Sequence, residues 1–328
     1  MTKKLVCLIL ACVMLCVSFV LPTSAATKFI DILCVGESLT CGSGANEAGT
    51  ISTIVKELTF PSKLVTKLPG GVKDGDDVIY YSTYNYGISG VSVLPEYKWT
   101  WANKGYLVAA KTNTANPFSS SAPAAKYIVV MLGTNDAKDR IWKAEQGTGG
   151  AENFYKYYTE MIEAFLDLPS SPKVVCVIPP PVVNAEGIND YEIVEETLRD
   201  EITPIIKRVA MEQKCMCVNL REVFPDPVTE RDALLELYAV DDGVHPNKYG
   251  YDLIAEAIAP YILRMAGDVT GNKALNLSDL SLLSEYIAGY DVEEFNEINA
   301  DIDLDGEIAL SDLVLLAQHL SDWNVTFA

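Results

Sequence analysis

Between residues 29 and 265 the chain alternates short β-branched and aromatic runs with stretches of helical periodicity, and that alternation leaves few folds open. The apolar runs are FIDILCVG, VIYYSTYNYG, KYIVVMLG, KVVCVIPP and CMCVNL. Helices are predicted over residues 61–68, 153–168, 191–213 and 249–265. Strands joined by helix-length connections pair in parallel, and a parallel sheet needs both faces covered, so the expectation is a three-layer α/β/α domain. In such a sheet the loops at the carboxyl ends of the strands gather on one rim. Four runs end in polar or glycine- or proline-rich segments, GESLT, NYGISG, GTND and PPP, which puts Ser38, Gly90 and Asn135 on that rim.

Only two histidines occur in the chain, and His319 lies beyond residue 267, so His245 is the one imidazole available to this domain. A serine nucleophile needs a base that works near neutral pH, and histidine supplies it. His245 sits in DDGVHPN, where Pro246 biases it away from helical conformation and leaves it on a loop before the last helix. Asp242 stands three residues earlier, placed to orient the imidazole, with Asp241 as the competing carboxylate. The backbone N–H groups of Ser38 and Gly90 and the side-chain amide of Asn135 complete the set as candidate oxyanion donors. Taken singly, each of these residues is more ordinary: serine and asparagine shape turns, and glycine frees the backbone. Tyr97, Trp99, Trp101 and Tyr106 form an aromatic group suited either to stacking on sugar or to the core.

The first 26 residues run from MTKK through a long apolar stretch to PTSAA, the order of a secretory signal peptide cleaved after Ala25 or Ala26. Cys12 and Cys16 sit poorly for lipid attachment. Without that leader, 23 basic and 45 acidic side chains remain, with five cysteines. The acidic balance excludes nucleic acid as a partner, and no second apolar run is long enough to cross a bilayer. Cys34 and Cys176 lie inside apolar strand runs and are expected as free, inert thiols rather than a disulfide framework.

From Asp268 onward there are 13 acidic residues and a single lysine, Lys273, and the sequence repeats with a period of 33 residues. Each copy reads as a 12-residue loop followed by an amphipathic helix. The second loop sets Asp301, Asp303, Asp305 and Asp312 at positions 1, 3, 5 and 12, with Gly306 at the turn and Glu307 offering its carbonyl at position 7. This is the pattern of an EF-hand-like calcium site. The first loop sets Asp268, Thr270, Asn272, Ala274 and Asp279 at positions 1, 3, 5, 7 and 12, and Lys273 replaces the turn glycine. Weaker calcium binding is expected there, because Lys273 adds positive charge and disfavours a left-handed backbone.

GESLT, NYGISG, GTND and DGVH, in that order, resemble the four conserved blocks of the SGNH (GDSL-type) hydrolases over residues 29–265. The resemblance implies a flavodoxin-like α/β fold and a serine ester hydrolase acting through Ser38, Gly90, Asn135 and His245 with Asp242, without a catalytic cofactor. Glu37 departs from the aspartate usual beside the nucleophile. The segments TFPSKLVTKL, LGTNDAKDRIW and IPPPVVNAEGIN are similar to sialate O-acetylesterase-like and acetylxylan-esterase-like proteins, which implies acetylated plant polysaccharide as substrate. The repeat resembles a small all-α, calcium-binding type I dockerin. That implies a cohesin partner on a cellulosomal scaffold, contacted through Leu277-Ser278 and Leu310-Ser311. The expected organisation is a signal peptide at 1–26, a hydrolase at 27–266 and a dockerin at 267–328, in a secreted protein with no membrane partner. The competing readings are a broad esterase or lipase on small acyl esters, and a catalytically silent calcium-dependent assembly or carbohydrate-binding protein.

Overall fold

The computed structural model describes residues 26–328 except 52, 75–76, 96–104, 114–115, 144–149 and 185–186. The leader apart from Ala26, and Tyr97, Trp99 and Trp101, lie outside the described residues. Six strands form one sheet: β1 (Thr27–Gly36), β2 (Val72–Asp74), β3 (Asp77–Gly87), β4 (Tyr127–Met131), β5 (Lys173–Ile178) and β6 (Met216–Asn219). Their order is β2-β3-β1-β4-β5-β6, and every pairing is parallel except the short β2 against β3. Gly36 stands opposite Gly87 on one side and Met131 on the other, and Met131 stands opposite Val177. The four strands therefore end at one level, and the loops that follow them converge.

Ile32, Leu33, Cys34 and Val35 are consecutive, and all four are inaccessible to solvent. Successive strand side chains point to opposite faces, so both faces of the sheet are covered. The cover is built from α1 (Phe60–Lys67), α2 (Gly105–Thr112), α3 (Ala151–Leu166), α4 (Thr203–Glu212) and α5 (Lys248–Ile262); α1 packs on α5, and α3 packs on α4. α3 shows why: Phe154, Tyr158, Met161, Ile162 and Phe165 fall on one face at helical spacing, and all are buried. Each such side chain contributes about 1.5–3 kcal/mol by leaving water.

One predicted helix is shorter than its pattern. Residues 191–194 are not helical: Glu192 is left-handed at φ 62°, Val194 is extended, and the Val194 N–H donates to the Ala137 carbonyl at 3.0 Å. Helical turns begin at Glu195 and pass through a wider, π-type turn at Leu198–Ile202 into α4. The five cysteines of this domain are all free, and burial pushes the Cys41 thiol up to about 11 and the Cys217 thiol up to about 12. These two thiols are poor nucleophiles.

The C-terminal repeat folds around its own small core of Val269, Leu283, Ala300, Ile302 and Leu316, with α6 (Leu277–Ile287) packed on α7 (Leu310–Leu320). It sits against the sheet domain. Arg264, just beyond α5, donates from Nε to the Ile298 carbonyl at 2.9 Å, from Nη1 to the Ala328 carbonyl at 3.0 Å and from Nη2 to the Asp301 carbonyl. Met265 N–H donates to Asn299 Oδ1 at 3.0 Å, and Leu304 packs on the core of the sheet domain.

Candidate active site

Ser38 opens a single helical turn, Ser38–Cys41, directly after β1. The Glu37 carbonyl accepts from the Thr40 and Cys41 N–H groups at 3.0 and 2.9 Å and so caps that turn. As the first residue of a turn, Ser38 has no acceptor for its own N–H within it. His245 comes to the nucleophile from 207 residues further along the chain, and its Nε2 lies 2.9 Å from Ser38 Oγ. Its Nδ1 lies 2.9 Å from Asp242 Oδ1 and 3.1 Å from Oδ2. A carboxylate only accepts, so Nδ1 carries the proton and Nε2 is left as the acceptor for the Ser38 hydroxyl. Of the two candidate carboxylates, Asp242 is buried in this relay and Asp241 is exposed.

Burial alone would raise the pKa of Asp242, but bonds from His245 and Tyr191 outweigh it and hold the carboxyl below the ordinary aspartate range. It is an anion at neutral pH, as an imidazolium partner requires. The loop that carries it is tight at Gly243, which is left-handed at φ 70°; a Cβ there would come within 2.4 Å of Ile188 and 3.0 Å of the Val183 carbonyl. Asn247, two residues after His245, starts α5 by accepting from the Tyr249 N–H at 2.8 Å.

Gly90 and Asn135 reach the same place. Both line a cavity of about 220 Å³ with Ser38, Thr134, Lys138, Tyr191 and His245, closed on its apolar side by Ile51, Ile193 and Val244. Gly90 has φ 76° and open space where a Cβ would be, so conformation rather than crowding demands glycine. Asn135 departs from the expectation of a free amide donor. Its Nδ2 donates to Glu37 Oε2 at 2.7 Å and to the Val91 carbonyl at 3.0 Å, so both amide hydrogens are engaged inside the protein. Glu37 Oε2 also accepts the Asn135 backbone N–H at 3.2 Å. Glu37 is inaccessible, and burial raises its pKa. The extra methylene relative to aspartate thus extends the carboxylate from the nucleophile's turn into the loop after β4.

Sequence reasoning did not assign Tyr191 to the site, because it falls at the head of a helical pattern. Its Oη donates to Asp242 Oδ2 at 2.8 Å. Tyr106, by contrast, is core: it is buried, and its hydroxyl donates to the Tyr86 carbonyl at 2.9 Å.

In the C-terminal repeat, carboxylate oxygens of Asp301, Asp303 and Asp305 lie within 4.8 Å of one another. Asp312 is inaccessible, and its Oδ1 accepts the Ile302 N–H at 2.6 Å, which draws it into the same loop. Glu307 follows the turn and donates its N–H to Asp305 Oδ1 at 2.9 Å. Burial and then the neighbouring carboxylates raise Asp301 and Asp303, a like-charge cost that a dication would relieve. The hard-oxygen set fits calcium. The first loop repeats the backbone bonds of the second, the Lys273 N–H donating to Asp268 Oδ2 and the Ala274 N–H to Asn272 Oδ1, each at 2.9 Å, as Gly306 and Glu307 donate to Asp301 and Asp305; it differs in a bond from Thr270 Oγ1 to Asp279 Oδ1 at 2.7 Å. Lys273 takes the left-handed conformation, φ 66°, against its side-chain preference.

The sequence model of the GDSL-like lipase/acylhydrolase family matches residues 34–253. The chain belongs to that family. In this GDSL-like hydrolase, residues 266–321 match a second model, the dockerin type I domain. It is similar to an acetylxylan esterase of Xylanibacter ruminicola, with 26% identity over 253 residues covering 71% of this chain. The chain spans 43% of that relative's length. Its fold is similar to that of a provisionally assigned arylesterase from Agrobacterium tumefaciens str. C58, with a TM-score of 0.53 and 22% identity over 71% of this chain and 98% of the other. It is also similar to a carbohydrate acetylesterase from Sinorhizobium meliloti, with a TM-score of 0.50 and 17% identity over 71% of this chain and 98% of the other. These likenesses match the mostly parallel sheet and its covering helices.

Proposed function

We propose that this protein is a secreted esterase that removes O-acetyl groups from plant cell-wall polysaccharide, acetylated xylan foremost, by a Ser38–His245–Asp242 mechanism. The observation that carries the reading is the relay itself, with 2.9 Å from Ser38 Oγ to His245 Nε2 and 2.9 Å from His245 Nδ1 to Asp242 Oδ1. His245 takes the Ser38 proton as Oγ bonds to the ester carbonyl carbon. The tetrahedral oxyanion is met by the N–H groups of Ser38 and Gly90, and loss of one such donor costs about 10²–10³ in kcat. His245 then protonates the departing sugar oxygen as its bond to the acyl carbon breaks. Water, deprotonated by the same imidazole, hydrolyses the acetyl-serine and restores the hydroxyl. The small cavity beside Ser38 supports a short acyl group over a long lipid chain, and the likeness to an acetylxylan esterase supports a carbohydrate leaving group.

The C-terminal module is assigned to calcium-dependent binding of a cohesin on a cellulosomal scaffold. Asp301, Asp303, Asp305, Glu307 and Asp312 would hold one calcium ion, and Asp268, Thr270, Asn272, Ala274 and Asp279 a weaker one; the ion would order each loop ahead of its helix. Leu277 and Leu310, at equivalent places in the repeat, are 72% and 63% exposed, and the serine after each is exposed too, which supports a docking role.

Acetate release from acetylated xylan, acetylated pectin and O-acetylated sialic acid, by wild type and Ser38→Ala, tests the catalytic assignment. Release from xylan by wild type, abolished in Ser38→Ala, is expected. Equal release by both proteins would remove Ser38 from the mechanism. Hydrolysis of 4-nitrophenyl acetate without release from any saccharide would leave a small-ester esterase.

A further inference from the structure

We infer that Tyr191 is a positioning residue of the active site, holding the Asp242 carboxylate from outside its own loop and setting how strongly it supports His245. The inference rests on the triad assigned above. Asp242 Oδ1 accepts the Val244 N–H at 3.0 Å, the His245 N–H at 2.5 Å and His245 Nδ1 at 2.9 Å. All three donors belong to the residues immediately following. Oδ2 accepts Tyr191 Oη at 2.8 Å, and this is the bond that ties the carboxylate to another part of the chain.

Tyr191 does more than donate one proton. Its ring also packs at a steep angle to the His245 imidazole, with centroids 5.1 Å apart and planes at 80°. The segment bearing it is fastened to both loops that make the site. Toward the Asp242 loop, the Val183 N–H donates to the Gly243 carbonyl and the Asn189 N–H to the Asp242 carbonyl, each at 2.9 Å. Toward the loop after β4, Val194 N–H reaches the Ala137 carbonyl, and Ile193 forms a bridge with Lys138. Asn189 and Glu192 on either side are left-handed, at φ 61° and 62°, conformations that persist only where surrounding bonds enforce them.

Other hydroxyls near Asp242 are already committed. Tyr238 donates to the Pro181 carbonyl and Tyr251 to the Ser43 carbonyl. Asp190 is the further carboxylate whose charge Tyr191 feels, and Lys138 is the cation among the residues lining the cavity. The Tyr191 hydroxyl therefore shares the negative charge that Asp242 would otherwise direct wholly at His245. Removing it should leave a less well anchored but more strongly anionic carboxylate, which favours the imidazolium.

The test is the pH profile of kcat/KM for 4-nitrophenyl acetate in Tyr191→Phe. The acidic limb should move up by about half a pH unit, with kcat down about tenfold. A residue that only packs would lower the melting temperature and leave the limb in place, and that result would overturn the inference. Adding Tyr191→Phe to Asp242→Asn should change kcat little further, since the hydroxyl acts through the carboxylate. An undiminished tenfold loss in that background would equally overturn it. Ser38→Ala separates the two readings, because a triad that is itself wrong shows there first.

Discussion

Glu37 carries a consequence out of proportion to its one extra methylene. Its carboxylate joins the nucleophile's turn to Asn135, so Glu37→Asp should slacken that tie, loosen the turn that aims Ser38 and lower kcat about tenfold while leaving KM for a small acetate ester nearly unchanged. An unchanged kcat would show that Asn135 holds its place without help. Its neighbour Asp136 is buried, accepts the Val93 and Leu94 N–H groups at 2.9 and 2.8 Å, and is pushed up to about 7, mainly by burial. The unfolded chain releases this proton at the ordinary aspartate value, so between about pH 4 and about pH 7 the folded state binds more protons and stability falls as pH rises. Urea midpoints at about pH 5 and about pH 8 should therefore differ less in Asp136→Asn than in wild type, and equal differences would reject this account. Ser38, Asp242 and His245 were legible because a lone imidazole narrows the choice of base to one. Glu37 and Tyr191 were not, since their partners lie 98 and 51 residues away and only the meeting of loops brings them together.

Among the elements, the long buried strands announced themselves, because burial on both faces writes a continuous apolar run. β2 left no trace: three residues, Val72–Asp74, are too short for any period. The pattern over 191–213 read as helix from its apolar spacing, yet the bonds of Val194 and Asn189 to other loops outweigh local preference across its first turn. The two acidic loops were legible from carboxylate spacing alone, and the difference between them yields a prediction. The second loop offers four acids, Asp301, Asp303, Asp305 and Asp312, whereas the first offers Asp268 and Asp279 with neutral oxygens between them. Calorimetric titration with calcium should show the second site binding about tenfold or more tightly, and Asp303→Ala should abolish the tighter step. Retention of that step in the variant would remove Asp303 from the ligand set.

At the scale of the whole molecule, the charge break at Asp268 marked where the second unit begins but gave no sign that the two units would touch. They do so through Arg264, whose three carbonyl partners are backbone atoms and therefore invisible in side-chain chemistry. Arg264→Ala should weaken the junction by about 2–3 kcal/mol, splitting one calorimetric unfolding transition of the calcium-loaded protein into two; an unaltered single transition would count against the junction. Five residues, 263–267, separate α5 from the first calcium loop, and Arg264 and Met265 among them are bonded to the repeat. The catalytic mouth thus has no leash. Once the repeat is gripped by another body, as proposed, the mouth is aimed with it, like a tool on a fixed bracket, and the stretch it can reach is set by how far its holder swings.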